Sequence, residues 1–162
     1  MKAAILLLCL MPVGLLHGQD TDMAIMVLKH VNEARADERV QPVALNYDLN
    51  EPACSQAAFV QSLGKLTHQQ KGNALQRTLG DRLSYFHITG YRMAGEIISR
   101  TGYSHPPEKA TIAFDLFETL YFSASHRDIM LDNGFNEVGV CVYSDTDTNG
   151  LKYWYVVLVF KG

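Results

Sequence analysis

The side chains of this 162-residue chain best suited to chemistry are imidazoles with acids within reach. His126 lies in Ser125-His126-Arg127-Asp128-Ile129-Met130-Leu131, directly ahead of an apolar run and, after a short turn, of the strand-like Phe135-Asn136-Glu137-Val138-Gly139-Val140. That placement lets a rigid scaffold aim a group able to carry a proton or ligate a metal. His68, in Leu66-Thr67-His68-Gln69-Gln70, falls in a polar stretch after a helical segment, where a loop side chain can point into a cleft. Glu96 is the lone acid among Met93, Ala94, Ile97 and Ile98. An acid so flanked needs a partner or water, because a bare buried carboxylate costs several kcal/mol or protonates. Backbone donors, Arg35 and Arg92 are the partners expected for it.

Five histidines follow residue 19: His30, His68, His87, His105 and His126. None forms a pair at i, i+4, so any metal site must be assembled from distant segments. His30 and His105 read as surface or helix-end residues, and His87 as part of the packing turn Tyr85-Phe86-His87. No Gly-x-Ser-x-Gly elbow activates a serine, and no phosphate-cradling glycine loop or dinucleotide fingerprint is present. Cys54 has apolar, helical surroundings, a poor place for a thiolate unless a histidine lies close in space.

The elements that must hold these groups are preceded by a leader. Met1-Lys2, the apolar block 3–16 broken by Pro12 and Gly14, and His17-Gly18-Gln19 have the form of a signal peptide over residues 1–19. The remainder, 20–162, is expected to be one domain, secreted or periplasmic, with no transmembrane segment. With 48% hydrophobic and 19% charged residues it has enough apolar surface for a core. A net charge of -3 without a basic run excludes nucleic acid as the main partner. Cys54 and Cys141 remain once the leader is removed. In an oxidising compartment they can form a disulfide, or stand as two small apolar thiols; the residues alone leave both readings open.

Helical spacing and a Thr21-Asp22 cap predict a first helix to about Asp37, with Asn32 and Arg35 on its apolar face, where polar groups tie a helix to neighbouring backbone. Gln41 to Leu45 is an extended connector. Asn50-Glu51-Pro52 reads as the start of a second helix, whose small residues Ala53 and Ala57 permit close packing. Gly72-Asn73 is expected to open a third helix running to about Gly90, and Pro106-Pro107-Glu108 a fourth carrying Ile112, Leu116 or Phe117, and Leu120. The runs 138–143 and 153–160 are β-rich and joined by a segment ending Asn149-Gly150, a hairpin signal. Helices first and a hairpin last predict the α+β class.

Taken in order, Asn32-x-x-Arg35, Leu49 with Ala53 and Ala57, Ala94-Gly95-Glu96-Ile97-Ile98, Ser125 to Leu131, Phe135 to Val140 and the closing Tyr-Val-Val-Leu-Val-Phe run resemble the cysteine-rich secretory protein, antigen 5 and pathogenesis-related (CAP) superfamily. The likeness is greatest to its bacterial SCP-like extracellular branch. The resemblance implies a three-layer α-β-α sandwich with a central, mostly antiparallel sheet. It also implies a cleft formed by His68, Glu96 and His126, in which His68 and His126 can bind a divalent cation, often zinc, leaving an open position. Two positions depart from the pattern. Ile97 stands where the family carries Asn, removing one polar group from the cleft. The second acid's position falls near Ser123, with Glu118 on another part of the helix and Asp128 out of spacing, so a weaker or absent metal is expected.

The function expected on this basis is a non-enzymatic extracellular binding module for a lipid, glycan, peptide or protein ligand. The alternatives are a metal-assisted peptidase or esterase with Glu96 as base, or a structural domain with a remnant cleft.

Overall fold

The computed structural model describes residues 19–162, so all but the last residue of the expected leader lies outside the described residues. The elements follow as α1 (Thr21–Asp37), β1 (Ala44–Leu45), α2 (Tyr47–Leu63), α3 (Leu79–Tyr85), β2 (Ala94–Tyr103), α4 (Lys109–Tyr121), α5 (Ala124–Met130), β3 (Glu137–Thr146) and β4 (Lys152–Lys161). The strands form one sheet in the order β1-β3-β4-β2. The pairs β3–β4 and β2–β4 are antiparallel, whereas the two residues of β1 run parallel to β3.

Alternation along the strands splits the core into two layers. Val138, Val140 and Val142 of β3, Trp154, Val156, Leu158 and Phe160 of β4, and Ile97 of β2 face α1, α4 and α5. Cys141, Tyr155, Val157, Val159 and Ile98 face α2 and α3. The result is the α-β-α sandwich expected from the resemblance. Gly139 is required by this packing: a Cβ there would lie 2.2 Å from the backbone carbon of Leu49, so only glycine lets α2 lie this close to β3.

The hydrophilic face-mates on α1 act on backbone, as their spacing suggested. Asn32 exchanges two hydrogen bonds with Val43, donating to its carbonyl at 3.1 Å and accepting from its N–H at 2.9 Å. Arg35, fully buried, donates to the carbonyls of Gln41, Met130, Asp132 and Phe135 at 2.7–3.1 Å.

Three helix starts differ from expectation. The first helix is capped by Asp20, which accepts the N–H of Met23 at 3.1 Å, and Thr21 and Asp22 already lie within it. The second helix begins at Tyr47, with Asn46 accepting from the N–H of Asp48, and Pro52 lies inside it. Asn50 instead caps a strand: its side-chain oxygen accepts the N–H of Val140 at 2.9 Å. The third helix is only seven residues long. Its start is fixed by the reciprocal capping box of Thr78 and Asp81, while Gln70, Asn73 and Gln76 upstream bond in successive turns rather than continuing a helix.

Candidate functional site

Strand β2 is an edge of the sheet, and its first residues hold the site together by facing opposite ways. Gly95 faces the α5 layer, where a Cβ would fall 2.9 Å from Ile129 and 3.0 Å from the ring of Phe135. Its bareness lets α5, and with it His126, settle on the strand. Glu96, the next residue, faces the α2–α3 layer, and its side chain is only 3% exposed. Oε1 of Glu96 lies 3.0 Å from Nδ1 of His68, and Oε2 receives Nη2 of Arg82. The two imidazoles thus arrive from opposite layers and meet beside the strand edge, ring centres 6.4 Å apart and 63° between planes.

This corrects two expectations. Glu96 is neutralised by Arg82, not by Arg35 or Arg92; Arg35 is fully engaged with carbonyls in the other layer. Ile97 removes nothing from the cleft, because period-2 alternation turns position 97 into the core beneath α4, where it is fully buried.

The loop carrying His68 has neither helix nor strand between Gly64 and Thr78 and is held from below by polar side chains. Arg82, fully buried, donates through Nη1 to the carbonyls of His68 at 3.4 Å and Gln76 at 3.3 Å. Gln56 donates to the carbonyl of Thr67, and Gln70 to Ser55 Oγ at 3.0 Å. Sequence reasoning passed over Arg82 and Gln56. The signal for Arg82 was present: a cation directly beside Leu83 on a helix whose apolar face carries Leu79 and Leu83 is placed like Arg35 on α1.

The chemistry of the pair follows from these contacts. Glu96 commits Nδ1 of His68 and leaves Nε2 as its outward nitrogen, the arrangement by which a carboxylate fixes the tautomer of a ligating histidine. His126 has a buried Nδ1 with no hydrogen-bond partner. Its proton affinity is held below that of an ordinary imidazole by burial first, then by the neighbouring His68, which favours the neutral form that can donate a lone pair. Two imidazoles sharing a tetrahedral zinc have ring centres about 5.4 Å apart, from Zn–N of about 2.1 Å. The observed separation is about 1 Å longer than that, and the side chain of His68 is 55% exposed. The donor set therefore fits a two-histidine cation site completed by water or ligand atoms. Among the described residues no group of three or more His, Cys, Asp or Glu side chains gathers that could hold a metal ion, and Ser123 at the neck of α5 supplies no acid.

Away from the cleft, Cys54 of α2 and Cys141 of β3 form a disulfide, Cα atoms 5.0 Å apart, which decides the question the residues left open. Among the described residues no helix is long and apolar enough to cross a membrane.

Comparison with known proteins agrees with this architecture. An extracellular protein containing an SCP domain from Bacillus anthracis superposes with a TM-score of 0.62 at 20% identity, over 85% of this chain and 40% of that one. An outer surface protein from Borrelia burgdorferi gives 0.63 at 16% identity, covering 90% and 98% of the two chains. A cysteine-rich secretory protein from Staphylococcus aureus gives 0.60 at 18% identity, covering 91% and 40%. The chain thus spans two fifths of the length of the Bacillus and Staphylococcus proteins, and at these identities the likeness is one of fold. No curated protein sequence matches it. The profile of the cysteine-rich secretory protein family, CAP, matches residues 28–160, nearly the whole of the described domain, and the chain belongs to that family.

Proposed function

We propose that the protein is a secreted or periplasmic, non-enzymatic binding module, whose cleft uses His68 and His126 to hold a divalent cation, zinc by preference, and through it an extracellular ligand. The observation that carries this reading is the pair of imidazoles brought to the strand edge from two layers, one with its tautomer set by a carboxylate and the other partly buried with a free Nδ1. Two protein ligands leave positions on the cation for a donor atom from a lipid, glycan, peptide or protein. Binding suits the site better than hydrolysis, because both oxygens of Glu96 are already engaged, by Arg82 and by His68. A general base must come within hydrogen-bond reach of the water it activates, and the side chain of Glu96 is only 3% exposed.

Calorimetric titration of the domain with zinc is the test. Saturable binding that disappears in a His68→Ala/His126→Ala variant of unchanged circular dichroism is the expected result. Undiminished binding by that variant places any cation elsewhere, and no binding by the parent protein ends the cation reading.

A further inference from the structure

The two arginines that are fully buried lie in different helical layers, and each grips the backbone that carries one cleft histidine. We propose that Arg35 and Arg82 are the positioning residues of the cleft, Arg35 setting His126 and Arg82 setting His68. The inference rests on the cleft reading only for its effect on cation affinity.

Helix α5 is seven residues long and has no side-chain hydrogen bond capping its amino end. Its placement is fixed at the other end. Arg35 Nη1 bonds the carbonyl of Met130 at 2.7 Å, one turn beyond His126, and that of Asp132 at 3.1 Å. Nη2 bonds Phe135 at 3.0 Å, and Nε bonds Gln41 at 2.7 Å. One guanidinium thereby gathers the carboxyl end of α5, the turn into β3 and the connector after α1. The carbonyls at a helix end have no partner within the helix, so a cation there both satisfies them and meets the negative end of the helix dipole.

Arg82 holds His68 twice. It bonds the carbonyl of His68 itself, and it bonds Glu96, whose other oxygen holds the ring. A third bond, to the carbonyl of Gln76, closes the far end of the same loop. In both places the task needs several donors spread in a plane, which a guanidinium has and a lysine ammonium lacks. Each buried arginine therefore fixes one wall of the cleft, and the sheet edge between them keeps the walls in register.

The test uses Arg35→Lys and Arg82→Lys, with Leu116→Ala as a core truncation at a residue that neither arginine bonds. The ring signals of His68 and His126 are followed by carbon–proton NMR on metal-free protein, and zinc affinity by calorimetry. Arg82→Lys is expected to move the ring signals of His68 and spare His126, and Arg35→Lys to do the reverse. Each is expected to weaken zinc binding roughly ten- to a hundredfold, the usual effect of losing an outer partner of a ligand. Leu116→Ala is expected to lower the melting temperature while leaving both rings and the affinity unchanged. Ring signals that shift alike in both lysine variants, or in neither, overturn the assignment, as does a control that loses affinity equally. If the parent protein binds no zinc, the cation reading fails while the ring pattern still decides the positioning roles. A lysine variant that does not fold is replaced by Arg35→Gln or Arg82→Gln, which keep a planar donor head. Glu96→Gln, with Arg82 in place, must move His68 alone.

Discussion

Removing the Cys54–Cys141 bond tests how the two layers are tied together. The bond joins α2 to the middle of β3 across a sequence separation of 87 residues. A cross-link closing a loop of that length removes chain entropy from the unfolded state worth about 4.6 kcal/mol at 25 °C in the loop-closure model. Alanine is the right replacement at both positions, because Cys141 is fully buried and a serine hydroxyl there would lack a partner. Cys54→Ala/Cys141→Ala is therefore expected to lose about 3–5 kcal/mol in urea denaturation, the lower figure allowing for residual compactness of the unfolded chain. For a domain of this size that lowers the melting temperature by roughly 6–20 °C. The denaturant slope should rise, since the freed chain exposes more surface on unfolding. Zinc affinity should not change, as neither sulfur touches the cleft. A loss below about 1 kcal/mol with an unaltered slope refutes the account, showing either that the bond is absent from the purified protein or that it restrains nothing.

Two further outcomes follow from single positions. Gly139→Ala drives a Cβ to 2.2 Å from the backbone of Leu49 and should cost about 3 kcal/mol or prevent folding, whereas Gly150→Ala, with open space around it but φ of 82°, should cost only about 1 kcal/mol; comparing urea midpoints decides it. His126 binds its proton less readily in the folded protein than the ordinary imidazole value of 6.5, so the unfolded chain takes up the extra proton as pH falls below that value. Stability should be full above it, decline between there and the depressed folded value, and lose this slope in His126→Asn when denaturation is repeated across that range. The acids Asp81 and Glu137, held below their ordinary values of 3.8 and 4.5 chiefly by hydrogen bonds from Thr78 and from Asn46 respectively, act below those values, so the decline that begins just below 6.5 belongs to His126.

What could be read from the residues alone depended on whether a contact was local. The hairpin announced itself through Asn149-Gly150, and Arg35 through its helical spacing, because each signal is complete within a few residues. His68, Glu96 and His126 were singled out by type and surroundings, and the structure brings them together. The partner of Glu96 was missed because Arg82 stood inside a stretch that looked like one long helix from Gly72. The true boundary hangs on the single capping box of Thr78 and Asp81, which the leucine spacing across 75, 79 and 83 masks. Asn50-Glu51-Pro52 misled for a similar reason: a good capping side chain was committed to a strand 90 residues away, which no local rule can foresee. Ile97 shows the hazard of treating a motif as a block, since neighbouring strand residues belong to different layers.

The strand order has a consequence for how the molecule is made. β4, residues 152–161, lies between β3 and β2 and pairs with both along its full length. A chain emerging from its amino end can form helices and turns, but β2 finds no neighbouring strand and its layers no common floor until those residues arrive. Such long-range pairing folds slowly and after synthesis of the segments it joins. The strand that commits the chain to its fold is the last of the described elements to be made, and β2 cannot be joined to β3 in one sheet before it.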